Sequence, residues 1–234
     1  MSVTSHSHTT ARHTTHYLSA GTPGATPIIF VHGWPELSIS WRHQLTVFAG
    51  LGFHAVAPDM RGYGRSSVYD RHEDYAVEQA VADMLELLDH LGAEKAVFVG
   101  HDWGAPVVWS LAQHHPDRCH GVANLCVPYT PDGFAPETLI PLVDRSIYPE
   151  ATAPAGQWDY MLYYRESFAA ACAAFDQNPR AFVKLAFRPG NAAGKGQPAT
   201  TAFVRANGGW FGGQPIPDLP RDETGLTQVD EDRY

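Results

Sequence analysis

The chain has 234 residues, 44% hydrophobic and 18% charged, with a formal net charge of −9, a globular composition that excludes a disordered polyelectrolyte. The excess of acidic over basic side chains argues against nucleic acid or an anionic membrane as a partner, because both are held mainly by Lys and Arg. No apolar run approaches the ~20 residues of a membrane-crossing helix, and the first residues lack the apolar core of a secretion signal. Three cysteines, Cys119, Cys126 and Cys172, are too few and too scattered for a disulfide framework or a metal site. A soluble, reducing, cytoplasmic setting is expected, with no metal and no cofactor.

Residues 1–15 are rich in Ser, Thr and His and read as a flexible N-terminal tail. Its histidines, with His16 just beyond, are expected to be solvated rather than metal-bound, since no Cys or carboxylate joins them at ligand spacing. Residues 16–127 then alternate short apolar runs with helical stretches. Pro27–Val31 reads as a buried strand, Trp41–Ala49 as a helix, and Phe53–Ala57 as the next strand. The loop DMRGYGRSS follows, over residues 59–67. Tyr75–Leu91 has one apolar helical face, stopped by Gly92. Ala96–Val99, Ala105–His114 and Gly121–Val127 complete a strand, helix, strand series. Strands joined by helices of this length pair in parallel, which predicts a three-layer α/β sandwich with a mainly parallel sheet. Residues 128–234 lose that alternation: a Pro-rich stretch, a helical region over Asp159–Phe187, a Gly/Pro-rich loop, and an acidic last fourteen residues. They read as a lid of helices and loops.

Two motifs carry chemistry. Gly100-His101-Asp102-Trp103-Gly104 stands between a strand and a helix. Gly-x-nucleophile-x-Gly in that context is a nucleophile elbow, a turn so tight that small residues must flank the central one. Asp102 would project at the helix N-terminus, where backbone N–H groups favour negative charge; its simpler reading is a helix cap. His32-Gly33-Trp34-Pro35 also follows a strand. The loop there supplies one oxyanion-hole N–H and the residue after the nucleophile supplies the other. Trp34 and Trp103 are therefore the expected backbone donors, and the two motifs together favour the catalytic reading.

With HGWPE at 32–36, SWRHQL at 40–45, PDMRGYGRSS at 58–67, GHDWGAPVVW at 100–109 and DYMLYYRE at 159–166, the chain resembles the epoxide hydrolases of the α/β-hydrolase superfamily, relatives of the haloalkane dehalogenases. The resemblance implies an α/β-hydrolase core, incomplete here, and a helical lid inserted after the nucleophile-bearing half. It also implies that a lid tyrosine donates to the epoxide oxygen, which the Asp-Tyr-x-Leu-Tyr pattern places at Tyr163. Trp34, Pro35, Trp103, Tyr160 and Tyr163 would line the substrate pocket. An Asp side chain, with a reference pKa of ~3.9, needs no base to attack a saturated carbon. An epoxide leaves as an alkoxide and needs an acid, whereas a halide does not. The resulting ester must then be hydrolysed by water, helped by a His that the family places after the lid.

The last of the 13 histidines is His120, so the family's water-activating His and its acid partner are not in this sequence. A second lid tyrosine is missing as well. The expectation is a C-terminally shortened epoxide hydrolase acting on a small apolar epoxide and water. A haloalkane dehalogenase and a catalytically dead ligand-binding relative are the alternatives. Gly121–Val127, left as a sheet edge, raises the expectation of self-association.

Overall fold

The computed structural model describes residues 2–189 and 194–227, so the acidic end expected over the last fourteen residues lies partly outside the described residues. Six strands form one sheet: β1 (Thr4–Thr9), β2 (Thr14–Ala20), β3 (Pro27–Val31), β4 (His54–Pro58), β5 (Ala96–His101) and β6 (Cys119–Leu125). Their order is β1-β2-β4-β3-β5-β6. β4, β3, β5 and β6 run parallel, while β1 and β2 are antiparallel to their neighbours. Three helices make the crossovers: α1 (Arg42–Gly50), α2 (Val77–His90) and α3 (Gly104–His114). The sequence-predicted elements from Pro27 to Val127 all appear, shifted by a few residues at their ends.

The order along the sheet fixes the layers. From β3 to β4 the chain steps one way, whereas β4 to β5 and β5 to β6 step the other way. Right-handed crossovers then place α1 on one face and α2 with α3 on the other. Two separate cores agree with this. Ile28, Phe30, Ala55 and Ala57 pack on Trp41, Leu45 and Ala49 of the α1 side. Ile29, Val31, Val56 and Phe98 pack on Met84, Leu87 and Leu88 of α2 and Val107, Val108 and Leu111 of α3. Burying each such large side chain contributes about 1.5–3 kcal/mol. β3 is buried at every position, as expected of a central parallel strand covered on both sides. The reversal of direction beside β3 makes a topological switch point, and α/β sheets hold their ligands outside the carboxyl ends of the strands at such a point.

The flexible N-terminal tail is corrected by the structure: residues 4–20 form a β-hairpin that extends the sheet. β1 is polar because it is an edge strand, exposed at every position except the half-buried His8, so it lacks the apolar signal of a buried strand. Alternating Thr, Ser and His side chains instead bond across the pair. His6 Nε2 lies 2.8 Å from Thr4 Oγ1 and 3.0 Å from Ser19 Oγ. Ser5 bonds His16 Nε2 at 2.8 Å, and His16 Nδ1 donates to Asp59 at 2.8 Å. The hairpin tip is fastened to α2 by Arg12, which bonds Asp83 at 2.5 Å and Glu86 at 2.9 Å. Arg61 grips the same buried Asp83 with two N–H groups at 2.7 and 2.8 Å. Removing either arginine would leave a buried carboxylate undercompensated.

Contacts divide the chain into two compact units, Met1–Tyr129 and Thr130–Tyr234, against an expected boundary between residues 127 and 128. The second unit contains α4 (Pro136–Leu139), α5 (Asp159–Asp176) and α6 (Pro179–Ala186). α5 bends at Ser167, whose φ of −142° and ψ of 39° leave the helical range. Asp159, at the start of α5, accepts from Arg205 N at 2.8 Å and Arg205 Nε at 2.7 Å, which fixes α5 to the 200–205 segment. Among the described residues, no helix is long and apolar enough to cross a membrane.

Candidate active site

Asp102 occupies the turn between β5 and α3 with φ of +49°, a left-handed conformation that costs a non-glycine residue roughly 1–2 kcal/mol. The tightness of the turn explains its flanking glycines. A Cβ at Gly104 would collide with the carbonyl oxygens of Val31 and His32, and one at Gly100 with Asn124 and the backbone of Ala105. β3, β5 and β6 can therefore approach only because those positions carry hydrogen. Strain at a residue held this firmly is a common feature of functional sites.

The loop after β3 closes on the same residue. Trp34 N–H donates to Asp102 Oδ1 at 2.8 Å, a charge-assisted bond of the stronger class. A Cβ at Gly33 would meet Asp102 and lie 2.7 Å from Trp103 N, so the Trp103 amide flanks the same spot. Sequence reasoning paired Trp34 and Trp103 as donors, and the structure brings both backbones to Asp102. Pro35 continues the loop through a cis peptide bond. The Trp103 side chain is exposed.

Two histidines stand beside Asp102, and both ring systems are engaged by other partners. His32 is buried, with Nδ1–H donating to the Gly33 carbonyl at 2.8 Å and Nε2 accepting from Met60 N–H at 2.9 Å. Burial pushes its pKa down despite the Gly33 bond, so the neutral ring braces the loop. His101 turns to Glu36, with 2.8 Å between Nδ1 and Oε2. Glu36 Oε2 also accepts from Gly33 N–H at 3.4 Å. Glu36 had no role in the sequence reading; its place just after HGWP is the one signal for it. Tyr63 was likewise unassigned. Burial, and then the Asp102 charge, push its phenol well above the ordinary tyrosine value, so it stays protonated.

Tyr160 and Tyr163 lie on α5 in the second unit. Tyr163 is 8% exposed and packs with Ala171 and Val204. Its hydroxyl points at Gly209, where a Cβ would stand 3.0 Å from Oη. Among the described residues that hydroxyl has no hydrogen-bond partner. Tyr160 is half-buried against Tyr164 and Trp210, both with ring centroids 5.8 Å away.

A family model described as the alpha/beta hydrolase fold matches residues 26–181. The chain belongs to the α/β-hydrolase family. Within that family it is similar to epoxide hydrolases. It is 46% identical over 149 residues to epoxide hydrolase A of Mycobacterium tuberculosis, an overlap of 64% of this chain and 44% of that protein. It is 36% identical over 208 residues to bifunctional epoxide hydrolase 2 of Sus scrofa, covering 88% of this chain and 34% of that one. The chain thus spans less than half the length of the curated relatives it matches. The crystal structure of epoxide hydrolase A from Mycobacterium thermoresistibile superimposes with a TM-score of 0.76 at 33% identity, over 99% of this chain and 68% of that one. The GHDWG and HGWP stretches, both inside the matched residues, are the ones that gather around Asp102.

Proposed function

We propose that this α/β-hydrolase chain opens an apolar epoxide through an ester of Asp102. The observation that carries the reading is the Trp34 N–H bond to Asp102 Oδ1 at an elbow held in a left-handed turn. That bond distinguishes the two carboxylate oxygens. Oδ1 is held as the carbonyl oxygen of the future ester, and Oδ2 is left to attack. As Oδ2 bonds to the epoxide carbon, the ring C–O bond breaks and its electrons pass to oxygen, which takes a proton from the Tyr163 hydroxyl. Water then adds to the ester carbonyl, charge develops on Oδ1, and the N–H groups of Trp34 and Trp103 stabilise it. Collapse to a vicinal diol and a free carboxylate needs a base that passes one water proton to the departing alkoxide while the other returns to Tyr163, so without an imidazole placed to do this the chain stops at the ester.

Trp34, Pro35, Trp103, Tyr160 and Tyr163 are the proposed substrate contacts, and their aromatic surface suits an aryl or alkyl epoxide. Three free thiols suit the reducing, cytoplasmic setting proposed for it. The test is incubation of the 234-residue chain with styrene oxide and, separately, with an alkyl chloride. The expected result is one styrene oxide adduct per chain that persists, because no His in the sequence follows His120 and both nitrogens of His32 are engaged. Chloride release without epoxide opening would replace this reading with dehalogenation. Saturable binding with reaction of neither would reduce the chain to a ligand-binding relative.

Self-association is part of the same proposal. Among the described residues, β5 is the one strand paired with β6, and Leu125 at its end is 44% exposed. An apolar strand with an open edge pairs readily with another chain. Sedimentation of the 234-residue chain should show species larger than a monomer. A stable monomer with a cooperative melt would contradict this.

A further inference from the structure

Glu36 and His101 form a contact that the proposed chemistry does not use. One belongs to the loop after β3 and the other is the last residue of β5, directly before Asp102. Their 2.8 Å bond therefore joins the two segments whose relative position sets the Trp34 to Asp102 distance. Glu36 reaches further into that loop through Gly33 N–H at 3.4 Å, and its own N–H donates to the Gly33 carbonyl at 3.0 Å. That carbonyl also receives His32 Nδ1–H. The peptides on both sides of Gly33 are thus held, and the next N–H along the chain is the donor to Asp102. Both side chains are partly withdrawn from water, at 31% and 19% exposure, so their attraction is less screened than that of a surface pair.

We propose that Glu36 and His101 are a positioning pair that locks the Trp34 N–H onto Asp102 Oδ1 and so keeps Oδ2 aimed at the substrate. The claim rests on the reading of Asp102 as the nucleophile, and it adds an ionic lock to the donor that orients it. Its titration follows from its neighbours. The Glu36 bond is the main influence on His101 and raises its pKa against the opposing effect of burial, with the charges of Glu36 and Asp102 adding to the rise. Burial raises the Glu36 carboxyl, but the His101 bond and charge and the Gly33 N–H together bring it below the ordinary range. The Trp41 ring packs edge-on to His101 and carries no charge. The lock is ionic between the two values and weakens as pH rises through the raised His101 value.

Two measurements on the 234-residue chain test this, with Glu36→Gln and His101→Gln cutting the pair from opposite sides. Amide hydrogen exchange at Trp34, followed by NMR, needs no chemistry at Asp102. It should quicken on the order of tenfold in either variant, matching the loss of one charge-assisted hydrogen bond. Alkylation of Asp102 by styrene oxide should slow by a similar factor at neutral pH. In the native chain that rate should fall as pH rises through the His101 value, and in Glu36→Gln, where the ionic pair no longer exists, this limb should disappear. Unchanged Trp34 exchange in a folded variant would overturn the positioning role. Faster exchange with no Asp102 adduct in the native chain would retain the lock and overturn the nucleophile reading instead. If one variant does not fold, the other carries the same comparison.

Discussion

Asp102→Ala is expected to reduce alkylation by styrene oxide to the background of exposed His and Cys side chains, the largest effect in the molecule. The carboxylate supplies the electron pair for the new C–O bond, and nothing on Ala replaces it. The turn complicates the reading of this variant, because Ala at φ of +49° keeps the steric cost of the left-handed conformation without a polar side chain to bond locally. Asp102→Asn meets that objection. Asn tolerates such a turn, and its carbonyl oxygen still accepts from Trp34 N–H, but it is a far poorer nucleophile. Both variants should melt as cooperatively as the native chain while losing the adduct. Native-like alkylation of a folded Asp102→Asn chain would place the nucleophile elsewhere.

The second large effect is at Tyr163. Phe keeps the ring that packs on Ala171 and Val204 and removes one O–H donor. General-acid assistance is worth about 10²–10⁴-fold, and an epoxide relieves ring strain as it opens, so a loss on the order of 10- to 1000-fold in the alkylation rate is expected. Stability should change little, since that hydroxyl makes no hydrogen bond among the described residues. Tyr160→Phe is the matched comparison on the same helix, with an effect expected below threefold. An unchanged rate in Tyr163→Phe would return that residue to packing alone. A large loss at Tyr160 instead would move the acid one helical turn toward the start of α5.

The parts of this fold legible from sequence are those whose signal is local. PIIFV is apolar at every position because β3 is covered on both faces, and α2 shows its buried stripe at Ala80, Met84, Leu87 and Leu88. The elbow was legible because steric crowding restricts Gly100 and Gly104 to glycine, which leaves a pattern in the chain. The N-terminal hairpin was not legible. Its strands are held by polar cross-strand bonds and by Arg12 reaching Asp83 and Glu86, 71 and 74 residues away, and no short-range period records such contacts. Glu36 and Tyr63 were missed for a similar reason. Each acquires its environment from an element far along the chain, His101 for one and Asp102 for the other, while neither sits in a spacing that implies chemistry.

Peptide mapping of the styrene oxide adduct by tandem mass spectrometry tests the role of Asp102 most directly. The native chain, alkylated until intact mass shows one addition, is digested and the modified residue located. A mild-base-labile ester is expected on the peptide containing Asp102, and it should be absent from the Asp102→Asn digest. An adduct confined to histidine or cysteine side chains, with Asp102 unmodified, would contradict that role.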